Sequence, residues 1–349
     1  MIFLNGRFLA QGLTGVQRYA REIARALDAM EDRPPIILLC PPDARDLDLF
    51  PRLAPRIVGA RGGQFWEQWT LPRAARGGML VSLGNTGPLL AGRNQAVVIH
   101  DAGAFDTPES YGTAFRLWYR GLQTALARRG ARILSVSRFS AGRIAHHLRI
   151  AEPPATLEGG EHILREPADA SILARHGLEA GRFALVVGTG AAHKNLAALH
   201  AAGGALASRG LVLAVAGAKD AAVFRAGGSD LLGEVRALGR VSDAELRALY
   251  EAALALLFPS RYEGFGLPPV EAMWCGCLVI AAPAGALPEV CGEAALWFDP
   301  ARPDSLGEAV ARLADDSALR SHLAEAGRHQ AAQFSWDAAA RRLLGFIAA

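Results

Sequence analysis

Short apolar runs and helical periods alternate along this chain. Apolar runs at 1–4, 35–40, 79–84 and 131–137 have the length of strands, as does the run from 95 that ends at His100-Asp101. So do RFALVV, LVLAVAG, LALLF at 254–258 and the start of LVIAAPAGALPEV at 278–290. Between them the period changes. Val16, Tyr19, Ile23 and Leu27 fall on one face of a helix over 16–30. Further helices are predicted over 111–129, 138–148, through DAELRALYEA, from about 304 to 333, and in the terminal FSWDAAARRLLGFIAA. Strands that each feed a helix predict parallel sheets, the α/β class. Residues 151–181 carry several prolines and glycines and read as a connection between two such halves. A length of 349 residues fits two domains of ordinary size.

One stretch, FPSRYEGFGLPPVEAMWCGC at 258–277, organises the rest. The strand at 254–258 runs into a glycine loop, Glu263-Gly264-Phe265-Gly266-Leu267. Pro268 and Pro269 then stand where a helix begins. Proline suits the first helical turn because its missing N–H costs nothing there. The unit is a strand, a tight loop and a helix N-terminus, with Glu263 before the turn and Glu271 after it. Such a turn directs backbone N–H groups and the positive end of a helix dipole at one point, which suits an anion. The two carboxylates can accept hydrogen bonds from the paired hydroxyls of a sugar ring. A phosphate between two diols is the outline of a nucleotide sugar.

Other positions carry weaker signals. Gly15 lies in a glycine-bearing loop that opens a helix directly after the first strand, a phosphate-site arrangement. His100 ends a strand, where open α/β sheets place ligands. The loop GTGAAHKN falls one residue short of the dinucleotide fingerprint G-x-G-x-x-G. Its sixth position is His193, and no acidic residue closes a strand about 20 residues on. An NAD(P)-dependent oxidoreductase is therefore an alternative that rests on this loop alone. Asp46 and Asp48 form a D-x-D among prolines and charges, and read as a solvated loop rather than a metal site. Ser137 and Ser140 are candidate polar groups that helix capping also explains.

The net charge of +3 is unevenly spread. Residues 1–165 hold about +7 and the remainder about −4. The basic half suits acidic lipid or a pyrophosphate-linked acceptor, or simply solvated arginine. No aromatic-basic interleaving or known module points to nucleic acid. No apolar run approaches the roughly 18 residues of a membrane span, and the first residues lack a signal-peptide pattern. The 4 cysteines have neither zinc nor disulfide spacing, so reduced thiols in the cytoplasm are expected, Cys275 and Cys277 packing beside a helix end.

With these residues in place, EGFGLPPVE resembles the E-x7-E motif of the retaining GT4 glycosyltransferases, which have the GT-B fold. The flanks GRVSDAELRALYEAALALLFPS and CGCLVIAAPAGALPEVCGEAALWFDP resemble that family too, so the likeness covers nearly the whole C-terminal half. TGVQRYAREIARAL, the His100-Asp101 pair and SVSRFSAGRI resemble the family's N-terminal elements, and VGTGAAHKNL resembles its VGT…RKNL loop. The resemblance implies two doubly wound domains facing across a cleft. An acceptor-binding domain would span 1–165 and a nucleotide-sugar-binding domain 166–333, with 334–349 as a helix crossing back to the first. It implies retaining, metal-independent transfer of a hexose from a nucleoside diphosphate sugar to a hydroxyl of a glycan or lipid-linked acceptor, with no further cofactor. Mannose from GDP-mannose, for surface polysaccharide, is the first choice of donor. By the same resemblance Lys194 and His193 grip the pyrophosphate, and the N–H groups of Gly266 and Leu267 assist, within the loop Glu263, Gly264, Phe265, Gly266, Leu267. Glu263 accepts from sugar hydroxyls, Glu271 binds ribose, His100 approaches the sugar and Gly15 lies near the donor phosphate. His193 stands where the family has arginine. A non-catalytic sugar-nucleotide-binding protein is the other alternative. The expected place is the cytoplasm or the inner face of a membrane, with contact to anionic lipid.

Overall fold

The computed structural model describes residues 1–188, 192–195, 198–217, 234–302 and 304–348. They form two units, one of Met1–Gly159 with Trp336–Ala349, the other of Gly160–Ser335. The divisions expected from sequence lay at 165/166 and 333/334.

In the first unit, six strands form one sheet: β1 Ile2–Asn5, β2 Ile36–Cys40, β3 Arg56–Ile57, β4 Met79–Ser82, β5 Gln95–Ile99 and β6 Arg132–Ser135. Their spatial order is β3-β2-β1-β4-β5-β6, with every pair parallel. All five residues of β2 and all five of β5 are buried, as expected of strands covered by helices on both faces. Helix α1, Gly15–Ala29, packs Tyr19, Ile23 and Leu27 inward, the face that its periodicity marks. Helix α2 spans Thr113–Arg128. Helix α3 spans Arg138–Leu148, where the sequence places it, because the Ser137 hydroxyl accepts the Ser140 N–H at 3.0 Å and caps its first turn.

In the second unit, β7 Phe183–Val187, β8 Val212–Ala216, β9 Val235–Gly239, β10 Ala255–Phe258, β11 Val279–Ala281 and β12 Ala295–Trp297 form the other sheet. The order is β12-β11-β10-β7-β8-β9, again parallel throughout. Numbered from its own first strand, each sheet therefore has the same doubly wound order, reversing direction between the first strand and the fourth. Helices α4 Ala198–Ala207, α5 Asp243–Ala252, α6 Leu267–Trp274, α7 Ser305–Asp315 and α8 Ser317–Ala331 accompany it. A capping box between Ser242 and Glu245 starts α5. Leu199, Leu213, Leu257 and Leu313, from strands and helices alike, are fully buried in one core. Burying each such side chain contributes about 1.5–3 kcal/mol.

The last helix, α9 Trp336–Ala348, returns to the first unit. The Trp336 ring meets Tyr19 of α1 edge-on at 5.9 Å, and the Arg132 guanidinium donates to the Ile347 carbonyl at 3.0 Å. This is the crossing-back helix that the sequence predicts. Among the described residues no helix is long and apolar enough to cross a membrane.

Candidate active site

The second sheet reverses between β7 and β10, and the candidate residues follow the carboxyl ends of those two strands. Open α/β sheets bind ligands at such a switch point. His193 and Lys194 lie in the loop after β7, and Glu263 in the loop after β10. The Lys194 ammonium donates to Glu263 Oε1 at 2.6 Å across a sequence separation of 69 residues. The same ammonium lies 5.2 Å from the centroid of the Phe258 ring, a cation–π contact at the end of β10. The backbone ties the loops together, since the Arg261 N–H donates to the His193 carbonyl at 2.8 Å. Thr189, Gly190 and Ala191, at the centre of the GTGAAH loop, lie outside the described residues.

A third turn clamps the glycine loop. The Ala286 N–H donates to the Glu263 carbonyl at 3.0 Å. A Cβ on Gly285, where φ is +61°, would come within 2.5 Å of that carbonyl oxygen. At Gly266 φ is +112°, and a Cβ would sit 2.6 Å from Leu287 Cδ2. Only glycine meets both conditions there. Gly264 and Phe265 complete the loop, and the buried Phe265 ring meets Phe334 edge-on at 5.6 Å. Helix α6 then starts at Leu267 with Pro268 and Pro269 in its first turn. Prolines carry no N–H, so the anion-facing donors of this turn reduce to Gly266 and Leu267.

Glu271 sits deeper than its place near a helix start suggests, at 5% exposure. The Tyr250 hydroxyl of α5 donates to its Oε2 at 3.0 Å. His162 Nε2, from the segment that opens the second unit, lies 3.1 Å from its Oε1, off the axis of an aligned hydrogen bond. Burial, and then the neighbouring Glu271 charge, push the Tyr250 phenol well above its usual range, so it remains a donor. The segment is pressed onto α6. A Cβ on Gly160 would meet Val270 Cγ1 at 2.7 Å and Trp274 Cδ1 at 2.8 Å. Sequence reading missed His162 and Tyr250. A tyrosine on the apolar face of a helix and a histidine in a loop carry no spacing that ties them to Glu271.

In the first unit, Gly15 opens α1, and a Cβ there would meet nothing within 4 Å. Thr14, at the N-cap position, turns its hydroxyl to the Gln17 side-chain oxygen instead of capping the helix. His100 follows β5 and is buried. Its Nε2 lies 2.9 Å from the Leu83 carbonyl oxygen and its Nδ1 3.5 Å from Glu158 Oε1, and the ring meets Tyr19 edge-on. For Nε2 to donate to that carbonyl it must carry the hydrogen. Asp46 pairs with Arg21 at 2.8 Å. Among the described residues no three His, Cys, Asp or Glu side chains cluster as a metal ion would need.

Residues 171–330 match the family described as Glycosyl transferases group 1. That match covers less than half of the chain, and the two parallel six-stranded sheets have the GT-B fold of the solved structures named below. Among curated proteins, the chain is 43% identical over 105 residues to O-antigen chain mannosyltransferase B of Escherichia coli, covering 30% of this chain and 28% of that one. It is 44% identical over 104 residues to the MMP alpha-(1->4)-mannosyltransferase of Mycolicibacterium hassiacum, covering 29% and 25%. The matched stretch thus spans about a quarter of each relative. Among solved structures, HepE of Anabaena in complex with UDP and glucose superposes with a TM-score of 0.76 at 16% identity, over 99% of both chains. The sucrose-phosphate synthase of Thermosynechococcus elongatus gives 0.75 at 20% identity, over 98% of this chain and 96% of that one.

Proposed function

We infer that the protein transfers a hexose, with mannose from GDP-mannose as first choice, from a nucleoside diphosphate sugar to a hydroxyl of a glycan or lipid-linked acceptor, with retention of anomeric configuration. The observation that carries this reading is the Lys194–Glu263 pair at the switch point of the second sheet. A cation and a hydroxyl acceptor 2.6 Å apart suit a ligand with a diphosphate beside a diol. Lys194, with His193 beside it and the N–H groups of Gly266 and Leu267, would stabilise charge growing on the departing diphosphate. Glu263 would hold sugar hydroxyls and Glu271 the ribose. On the first unit we assign Gly15 and His100 to the substrate side. The two mannosyltransferase relatives support the choice of mannose. A thermal-shift panel of nucleotide sugars tests the reading. A ligand at a hundredfold its dissociation constant adds about 2.7 kcal/mol of stability. GDP-mannose is expected to shift the midpoint most, and a panel with no shift from any nucleotide sugar would defeat the proposal.

Transfer is expected to need no metal, because Lys194 supplies the charge that a cation would. Activity should persist after metal stripping in excess EDTA. Loss that only Mg²⁺ or Mn²⁺ restores would contradict this.

His193 introduces a pH dependence that arginine would not. An imidazole titrates near neutral pH, and a bound diphosphate favours its protonated form. Donor affinity should therefore weaken as pH rises from about 5.5 to 8.5, across the ordinary imidazole range. His193→Arg should remove the dependence and bind tightly throughout, whereas His193→Ala should remove it at the weak limit. A non-titrating phosphonate donor isolates the protein's share. If His193→Ala keeps the wild-type profile, the imidazole does not face the diphosphate.

Contact with anionic membrane is expected through the first unit, which is basic and also carries exposed apolar side chains. Phe65, Trp69, Leu117 and Trp118 are all at least 44% exposed, and guanidinium groups of Arg61 and Arg73 lie over the Phe65 and Trp69 rings. Vesicle binding should need acidic lipid and fall with salt. Equal binding to neutral vesicles, or none to either, would leave these residues without that role.

A further inference from the structure

The second unit opens at Gly160 with one turn of 3-10 helix, Glu161–Leu164. That turn buries Ile163, as expected of an apolar residue, and His162, which is not expected. A buried polar side chain costs stability unless it meets a partner. The partner of His162 is a carboxylate on another element.

Three elements meet at that carboxylate. Helix α6 carries Glu271. His162 Nε2, on a side chain wholly removed from solvent, lies 3.1 Å from Oε1. The Tyr250 hydroxyl of α5 donates to Oε2 at 3.0 Å. A polar atom from a different element thus stands against each oxygen. The carboxylate plane cannot turn without losing one of these contacts.

The turn that carries His162 is itself held in place. Arg247 lies three residues before Tyr250 on α5, and residues three apart share a helix face. Its guanidinium donates to the Leu164 carbonyl at 3.1 Å and the Glu166 carbonyl at 2.9 Å. The Asp169 N–H donates to the Ala244 carbonyl at 2.9 Å. Helix α5 therefore fastens both the carboxylate and the segment that supplies its other neighbour. Gly160, pressed onto Val270 and Trp274, closes the triangle against α6.

An unrestrained glutamate samples several rotamers, and a ligand that orders it loses affinity in doing so. Here that order is built in before a ligand arrives. The benefit goes to a ligand that presents hydroxyls to the carboxylate, and a ribose carries two adjacent ones. A site arranged to bond hydroxyls discriminates against the analogue that lacks them.

We propose that His162 is a positioning residue for Glu271, and that with Tyr250 it sets the preference of this site for a ribonucleotide over a deoxyribonucleotide. The proposal rests on the reading that Glu271 holds the ribose of the donor. Calorimetry on the full chain would compare GDP and UDP, each beside its 2′,3′-dideoxy form. Wild type is expected to favour the ribose form at least about tenfold, the worth of a hydrogen bond to a charged group. His162→Leu should cut that preference about three- to tenfold and leave the affinity for the dideoxy form unchanged. His162→Gln keeps a polar N–H on a side chain of similar reach and should restore most of the preference. His162→Asn is polar but too short to reach Oε1, and reads the same loss if the leucine form does not fold. In a Glu271→Gln background His162→Leu should add little, because it acts through that carboxylate. A preference unchanged in the leucine and asparagine forms would overturn the proposal. So would equal weakening of ribose and dideoxy forms, the mark of a merely structural role. Wild type that binds neither GDP nor UDP would defeat the nucleotide-sugar reading and this proposal together. A ribose preference that survives every His162 variant would leave that reading standing and overturn the proposal alone.

Discussion

Replacing Lys194 by alanine should lower kcat about 10²–10³-fold, the usual cost of removing one donor that stabilises charge in a transition state. The expectation follows from its ion pair with Glu263 and its place after β7 at the switch point. Donor KM should rise less than kcat falls, because charge on the diphosphate grows as the glycosidic bond breaks. Lys194→Arg should recover only part of the rate, since a planar fork does not reproduce a compact ammonium between a carboxylate and the Phe258 ring. The competing account makes the pair purely structural. In that case Lys194→Ala and Glu263→Gln would lower the melting temperature alike and leave kcat of the folded fraction unchanged. Steady-state kinetics beside thermal unfolding separates the two.

Glu271→Ala should weaken nucleotide binding by about 1.5–3 kcal/mol, the worth of a hydrogen bond to a charged group. That corresponds to roughly tenfold to more than a hundredfold in Kd. The same change removes the acceptor of the Tyr250 hydroxyl and the carboxylate beside His162. Leaving a buried donor unsatisfied costs about 1–3 kcal/mol of stability, so the alanine form is expected to be less stable. Glu271→Gln keeps the volume and one carbonyl acceptor, and serves as the folded variant. Tyr250→Phe loosens one oxygen of the carboxylate without removing it, and its nucleotide affinity should fall between wild type and Glu271→Gln. Calorimetry with nucleotide alone is the measurement. Unchanged affinity in folded Glu271→Gln would remove Glu271 from the site.

Much of the architecture is legible because it is local. Apolar runs buried on both faces mark β2 and β5, and the Ser137 cap marks the start of α3. The glycine loop and the two prolines before α6 announce a strand, a turn and a helix, and positive φ at Gly266 shows why glycine is needed there. Other features depend on residues brought together over long separations. Lys194 meets Glu263 across 69 residues, and Asn5 meets Glu67 across 62. No periodicity encodes such pairings. They depend on strand order, and alternation alone does not fix that order. The burial of Glu271 was hidden for the same reason. Position near a helix start suggests exposure, and only the packing of the Gly160 segment onto α6 shows otherwise. His100 lies at a strand end, as its sequence context implies, yet its ring is directed at Leu83 and Glu158 within its own unit.

The central claim is that the Lys194–Glu263 switch point drives retaining transfer from a nucleotide sugar. Real-time proton NMR of the full chain with GDP-mannose and a mannoside acceptor tests it most directly. The expected result is a new α-anomeric signal that grows as the donor's anomeric signal decays, and that is nearly absent with Lys194→Ala. A β-anomeric product, or transfer by Lys194→Ala at the wild-type rate, would contradict it.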